Sequence, residues 1–256
     1  VLGNDETGKT AASLLNDYKI STNIFYDETR PTTRKQRYRA QSKTLLRVNE
    51  FNQQSIDIEI QTQLFNAVEK EIASADVIIF SDFNYGILPQ PLVDKITAIA
   101  KQHNVMIVAD SQCSSQIGDV SRFKGASLIT PTEHEARIAT RDTESGLVTL
   151  AEKLRDMSKA EHVIITLGTE GILINAAKNH THNSRWITDR LPAMSTAPKD
   201  TAGAGDALMV VTALALASGS SIWESVYMGS LAAACQVGRV GNIPLSLAEL
   251  SQELES

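Results

Sequence analysis

Asp76-Val77-Ile78-Ile79-Phe80-Ser81-Asp82 is the stretch on which the reading of the fold turns. Its four consecutive large apolar residues do not suit a strand with one wet face. They suit a strand buried on both sides that ends in a carboxylate. The same pattern returns in Val105-Met106-Ile107-Val108-Ala109-Asp110, in Ser127 to Thr130 and in His162 to Thr166. Between these runs the apolar spacing becomes helical, from Ile58 to Ala73, from Pro89 to about His103, from near Thr132, and from Leu147 to Ala160. Strands alternating with helices predict an α/β fold, a mostly parallel sheet covered by helices on both faces. Ligands of such sheets sit at the carboxyl ends of the strands. Asp82, Asp110, Thr130 and the turn Leu167-Gly168-Thr169-Glu170-Gly171 all fall there.

The rest of the chain extends this frame. Val1-Leu2-Gly3 reads as the end of a strand, without a start methionine, so preceding residues are expected to be missing. A helix opened by Asn4-Asp5-Glu6-Thr7 follows, with Ala11, Leu14 and Leu15 on one face, and then a short strand from Thr22 to Tyr26. Arg30 to Val48 is basic and poor in apolar residues until Leu45, which predicts two exposed strands forming a hairpin flap over about residues 26–50. Its cations are open to two readings, a charge-guarded edge or a lid whose Arg34 and Arg37 meet an anionic substrate. Ile172 to Ala176 and Ser184 to Thr188 add strands. Helices from Gly203 to Ser218, Ile222 to about Val237 and Leu245 to Leu254 close what reads as one domain over 1–256.

Composition narrows the function classes. The 256 residues are 42% hydrophobic and 21% charged, as in an ordinary globular chain, and the net charge of −6 gives no basis for binding nucleic acid or an anionic membrane surface. No apolar run reaches the roughly 18–20 residues of a bilayer span. Cys113 and Cys235 match no zinc or redox spacing and read as free thiols of a cytoplasmic protein.

Chemistry concentrates in Lys199-Asp200-Thr201-Ala202-Gly203-Ala204-Gly205-Asp206, which runs into the apolar segment Ala207 to Ala217. The first N–H groups of a helix lack internal partners and carry partial positive charge. Glycines let an anion approach them closely. A carboxylate in that turn would repel phosphate unless it takes a proton from the group attacking phosphorus. The stretch therefore suits phosphoryl transfer with Asp206 as base, or else it is a plain glycine turn before a core helix. Thr130-Pro131-Thr132-Glu133-His134-Glu135 offers Glu135 as a carboxylate that could organise Mg²⁺ through water, against the reading of ordinary first-turn charges. Thr166 to Gly171 is either a tight hairpin or a phosphate-facing turn. His134 reads as a surface residue, and His180-Thr181-His182 as a loop.

Asp82, Thr-Pro-x-x-x-Glu at Thr130 to Glu135, Thr-Leu-Gly-x-x-Gly at Thr166 to Gly171 and Asp-Thr-Ala-Gly-Ala-Gly-Asp at Asp200 to Asp206 occur in an order that resembles the ribokinase-like (PfkB) carbohydrate kinases. Arg30 to Arg37, Ser81 to Gly86 and Arg122 to Pro131 resemble most the kinase part of the heptose-phosphate kinase/ADP-heptose synthase group. The resemblance implies ATP and Mg²⁺ as cofactors and a small-molecule sugar or sugar phosphate, such as a heptose 7-phosphate, as acceptor. It implies Asp206 as base, the N–H groups of Gly203, Ala204 and Gly205 as anion hole, and Thr132, Glu133, His134 and Glu135 near the triphosphate and metal. It places Thr166, Gly168, Thr169 and Gly171 at the nucleotide, Ala233 and Gly238 near the adenine, and Asp82 and Asp110 with Arg34 and Arg37 at the acceptor. A homodimer through the flap strands is a further expectation. Thr132 stands where the family usually has Asn, and Asp110-Ser111-Gln112 where the heptose group has Asp-Pro-Lys. The family's first strand and its Gly-Gly segment precede Gly3. A nucleotide-binding or regulatory protein that keeps the kinase fold stays open as the alternative.

Overall fold

The computed structural model describes residues 1–40, 43–113, 117–177, 187–195, 198–241 and 243–255, and the chain divides into two units. One unit comprises residues 1–74 and 84–99, the other residues 75–83 and 100–256.

In the first unit β1 (Leu2–Gly3) pairs in parallel with β2 (Tyr26–Asp27). The strand expected from Thr22 to Tyr26 is thus reduced to two residues. Helix α1 (Glu6–Asp17) starts where Asp5 accepts the Gly8 N–H at 2.7 Å. Leu14, expected on its inner face, is 52% exposed, because only three apolar side chains on this helix face give it little to bury. Arg30 is buried and fixed three ways, to Asp27 at 2.7 Å and to the carbonyls of Tyr85 and Gln54 at 3.1 and 2.8 Å. An arginine so held is a tether, since removing either charge would strand the other. The flap is present as the antiparallel pair β3 (Arg34–Ala40) and β4 (Lys43–Glu50), with a register shift between Tyr38 and Arg39; Gln41 and Ser42 lie outside the described residues. Helix α2 (Ile58–Glu71) and most of α3 (Gln90–Gln102) complete this unit, with Ile56, Ile60, Leu92, Val93 and Ile96 buried.

The second unit is built on a six-stranded sheet in the order β10-β9-β8-β7-β6-β5. Strands β5 (Val77–Asp82), β6 (Met106–Ser111), β7 (Leu128–Ile129) and β8 (His162–Thr166) run parallel, while β9 (Ile172–Ala176) and β10 (Ile187–Leu191) are antiparallel to their neighbours. Of the strand expected from Ser184 to Thr188, residues 184–186 lie outside the described residues, and the described part runs from Ile187 to Leu191, paired with β9 throughout. His180 and His182 also lie outside them.

Alternate residues of the central strands, Val108, Leu128, Ile164 and Ile174, pack with Leu208, Met209, Ala213 and Val226 from α6 (Ala204–Ala217) and α7 (Ile222–Val237). Each such buried side chain contributes about 1.5–3 kcal/mol. Helices α4 (Glu133–Thr140) and α5 (Leu147–Ser158) contact β8, and α5 also covers β9, where buried Arg155 donates to the Ala176 carbonyl at 2.6 Å. Helix α8 (Leu247–Glu255) packs its Leu250 beside Leu231 and Ala232 of α7. Each predicted helix is thus present; α7 has the expected bounds, α8 runs one residue past the expected Leu254, and several other ends are shorter by one or two residues.

Candidate active site

Asp206 lies in the first turn of α6, behind an N-cap, Gly203, whose φ of 79° is left-handed and favours glycine. The turn is held from the end of α7. The Lys199 and Asp200 N–H groups donate to the Val237 carbonyl at 2.8 and 3.2 Å, and the Gln236 amide donates to the Ala202 carbonyl at 3.2 Å. Of the three expected anion-hole donors, the Ala204 N–H makes a long 3.4 Å bond back to the Thr201 carbonyl. The N–H groups of Gly203 and Gly205 donate to no acceptor among the described residues. A Cβ on Gly205 would meet no protein atom within 4 Å, so the backbone there faces open space that an anion could enter.

That space is a cavity of about 770 Å³, large enough for a nucleotide. Its wall collects Thr132, Glu133, His134, Thr166, Gly168, Thr169, Gly171, Ala204, Gly205 and Ala233, which the sequence had placed in four separate motifs. Gly168 (φ 61°) also turns a Cβ-free face to open space. The turn is the hairpin that joins antiparallel β8 and β9, and it is also cavity wall. Leu191, Pro192, Met194, Ala234 and Val237 make the opposite end apolar. Gly238 caps α7 and is not part of the wall.

Sequence reasoning did not find Ser230, which lines the cavity and whose buried Oγ has no hydrogen-bond partner among the described residues. It lies three residues before Ala233, on the same face of α7, so helical spacing was the signal that could have found it. Such a hydroxyl beside the apolar Ala233, Ala234 and Val237 of the same helix suits a polar atom of a bound ligand.

The acidic residues form a second group. Glu135 closes a capping box with Thr132, its Oε2 accepting from the Thr132 N–H and Oγ1 at 2.8 Å each, while Oε1 accepts the Cys113 N–H at 2.8 Å. It is buried and outside the cavity wall. Asp82 pairs with Arg122 at 2.8 Å and accepts from Ser111 Oγ at 3.3 Å. Gln112, at the end of β6, donates from Nε2 to Asp206 Oδ1 at 3.2 Å. Burial, then the charges of Glu135, Asp206 and Asp82, push the Asp110 carboxyl up to about 7 against the opposing Ser111 N–H bond.

This makes a stability prediction. A carboxyl whose folded pKa lies above its unfolded value contributes stability at low pH that is lost as pH rises from about 4 to about 7. Asp110→Asn should therefore melt at a higher temperature than wild type at pH 8, and the gap should close toward pH 4. Equal melting temperatures across that range would remove the charge-repulsion account.

The charge balance also tests the site for Mg²⁺. Glu135, Asp206 and Asp82 each act on Asp110, and Arg122 offsets Asp82. Among the described residues no three acidic, His or Cys side chains group as a metal cage, so a cation here would rest on a single carboxylate and its waters. Mg²⁺ keeps several waters and takes few protein carboxylates, so one or two acidic groups suffice beside a polyphosphate.

A family model described as pfkB family carbohydrate kinase matches residues 1–248. Bifunctional protein HldE of Sulfurimonas denitrificans is 29% identical over 259 residues, covering 98% of this chain and 51% of that protein. The same-named protein of Haemophilus influenzae is 29% identical over 258 residues, covering 100% of this chain and 51% of that protein. The chain thus spans about half the length of the curated relatives it matches. Among solved structures, phosphofructokinase-2 from Escherichia coli superposes with a TM-score of 0.79 at 17% identity, over 99% of this chain and 79% of that one. Ribokinase from Giardia lamblia gives 0.76 at 20%, over 98% and 81%. These likenesses show a ribokinase-like fold. No helix among the described residues is long and apolar enough to cross a membrane.

Proposed function

We propose that this chain, which belongs to the pfkB family of carbohydrate kinases, transfers the γ-phosphoryl group of ATP to a hydroxyl of a sugar or sugar phosphate. The observation that carries the reading is the placement of Asp206 on the turn whose Ala204 and Gly205 form part of the cavity wall. In the proposed reaction the acceptor hydroxyl gives its proton to Asp206 as its oxygen forms the bond to phosphorus. The bond from phosphorus to the bridging oxygen breaks, and ADP leaves. The free N–H groups of Gly203 and Gly205 would face the charge that develops on the transferring group. Thr132, Thr166 and Thr169 are assigned to the phosphates, and the apolar end with Ser230 and Ala233 to the base. Glu135 would hold Mg²⁺ through water, and the ion would supply charge neutralisation to the phosphates.

The acceptor we assign to the class of phosphorylated sugars, with a heptose 7-phosphate as the specific proposal. HldE is the name borne by the relatives, and the flap carries the cations such an acceptor needs. Arg34 makes an exposed pair with Glu50 at 3.1 Å, while Arg37 stands directly opposite Arg47, a like-charge pairing that an anion would relieve. Neutralising both Arg34 and Arg37 should raise KM for a sugar phosphate severalfold more than KM for a neutral sugar. Equal effects on the two would remove the flap from acceptor recognition. Pairing of two copies through the flap strands is part of the same proposal, checked by sedimentation of the full chain.

The test of the function itself is a panel of sugars and sugar phosphates in a coupled ADP-release assay. ATP-dependent turnover with one of them supports the proposal. A second reading, nucleotide binding without catalysis, is favoured by Glu135, whose two oxygens already accept from three protein donors. ATP binding by titration calorimetry without ADP release from any acceptor would select it.

A further inference from the structure

We propose that Gln112 is the positioning residue of the phosphoryl-transfer centre, its side-chain amide holding the Asp206 carboxylate in one orientation toward the acceptor hydroxyl. The inference rests on the reading of Asp206 as base. It begins from a contact between residues 94 apart in sequence, Gln112 Nε2 to Asp206 Oδ1 at 3.2 Å. The amide is aimed by its own backbone. The Gln112 N–H donates to the Asp82 carbonyl at 2.8 Å, and the next N–H, that of Cys113, donates to Glu135 Oε1 at 2.8 Å. Gln112 is therefore anchored to the end of β5 on one side and to α4 on the other, and its side chain reaches the first turn of α6.

The chemistry of the amide matters as much as its place. An ionised carboxylate only accepts hydrogen bonds, so the contact is an N–H donating to Oδ1. Such a bond fixes the rotamer of Asp206 and moderately favours its ionised form. A cation in the same place would favour that form far more strongly and so weaken the carboxylate as a proton acceptor. The surroundings make a neutral donor useful. Asp110 is the penultimate residue of β6, Glu135 lies on α4, Asp82 ends β5 with Arg122 paired to it, and Asp200 precedes α6, accepting the Ala202 and Gly241 N–H groups. Three of these carboxylates share one electrostatic neighbourhood with Asp206. In it the amide holds the Asp206 carboxylate at Oδ1 without adding charge.

The experiment is kcat and KM as functions of pH for the full chain and for Gln112→Leu, Gln112→Glu and Gln112→Lys, each with a thermal melt. Gln112→Leu should lower kcat about tenfold or more with KM for ATP within about twofold, and should move the acidic limb of the kcat profile to higher pH. Gln112→Glu, nearly the same shape, should move that limb further in the same direction, and Gln112→Lys should move it to lower pH. A fall in kcat at every pH with the limb unmoved in all three variants would make Gln112 merely structural and overturn the proposal. Unchanged kcat in Gln112→Leu would overturn it as well. Near-normal kcat in Asp206→Asn would overturn the base itself, an outcome read separately from any Gln112 variant, and a wild-type chain inert toward every acceptor would overturn both.

Discussion

Asp206→Asn is expected to lower kcat by about 10²- to 10⁴-fold while ATP still binds about as tightly as to the unaltered chain. The substitution keeps the size and planarity of the side chain and removes its charge and its ability to take a proton. The cavity wall is formed by Ala204 and Gly205, not by the Asp206 side chain, so the nucleotide loses no contact. The two free N–H groups of the turn remain, and donors of this kind are each worth on the order of 3 kcal/mol to a developing charge. The loss therefore falls on the proton-transfer step and appears in kcat more than in KM. ADP release under saturating ATP and acceptor gives kcat, and titration calorimetry gives the ATP affinity. Near-normal kcat would show that the hydroxyl proton leaves by another route, and the assignment of Asp206 would fall.

The same residues explain how far the sequence carried the reading. Ile107 to Ala109 announce a buried strand because both faces are covered, leaving no polar alternation to confuse the pattern. The equally apolar Val77 to Ile79 are only partly buried, since β5 is the edge of the sheet. Ile187–Leu191 is harder to place: it is an edge strand whose Thr188, Asp189 and Arg190 are polar, and pairing with β9 sets its ends more than its own composition does. Local motifs located Gly203 to Asp206 and Thr132 to Glu135 because a helix start has fixed chemical needs at fixed offsets. They could not decide what Glu135 does, since one carboxylate can serve a capping box, a neighbouring loop and a metal-bound water with the same spacing. Contacts made only by folding were out of reach. Gln112 meets Asp206 across 94 residues, and the apolar end of the cavity combines residues 191–194 with α7, which no local pattern links.

Gly229→Ala is expected to destabilise the protein by about 1–3 kcal/mol and to lower the activity that survives. On α7 this glycine faces α6 so closely that a Cβ would lie 2.1 Å from Thr212 Oγ1 and 2.7 Å from the Leu208 carbonyl. The first of these neighbours is a side chain that can turn, but the second is helix backbone, so the two helices must separate. In a domain of this size each kcal/mol lowers Tm by about 2–4 °C. The separation does not stay local. The end of α7 holds Lys199, Asp200 and Ala202, and Ser230 is the next residue on the strained helix, so both the anion-hole turn and the base end of the cavity shift with it. Thr212→Ala offers the check on mechanism. Alone it removes a buried hydroxyl that has no partner and costs little beyond a methyl's packing. Combined with Gly229→Ala it removes the nearer clash and should restore part of the lost Tm, but not all, because the Leu208 carbonyl remains. Additive losses in the double variant would mean that the strain lies elsewhere than between these two helices.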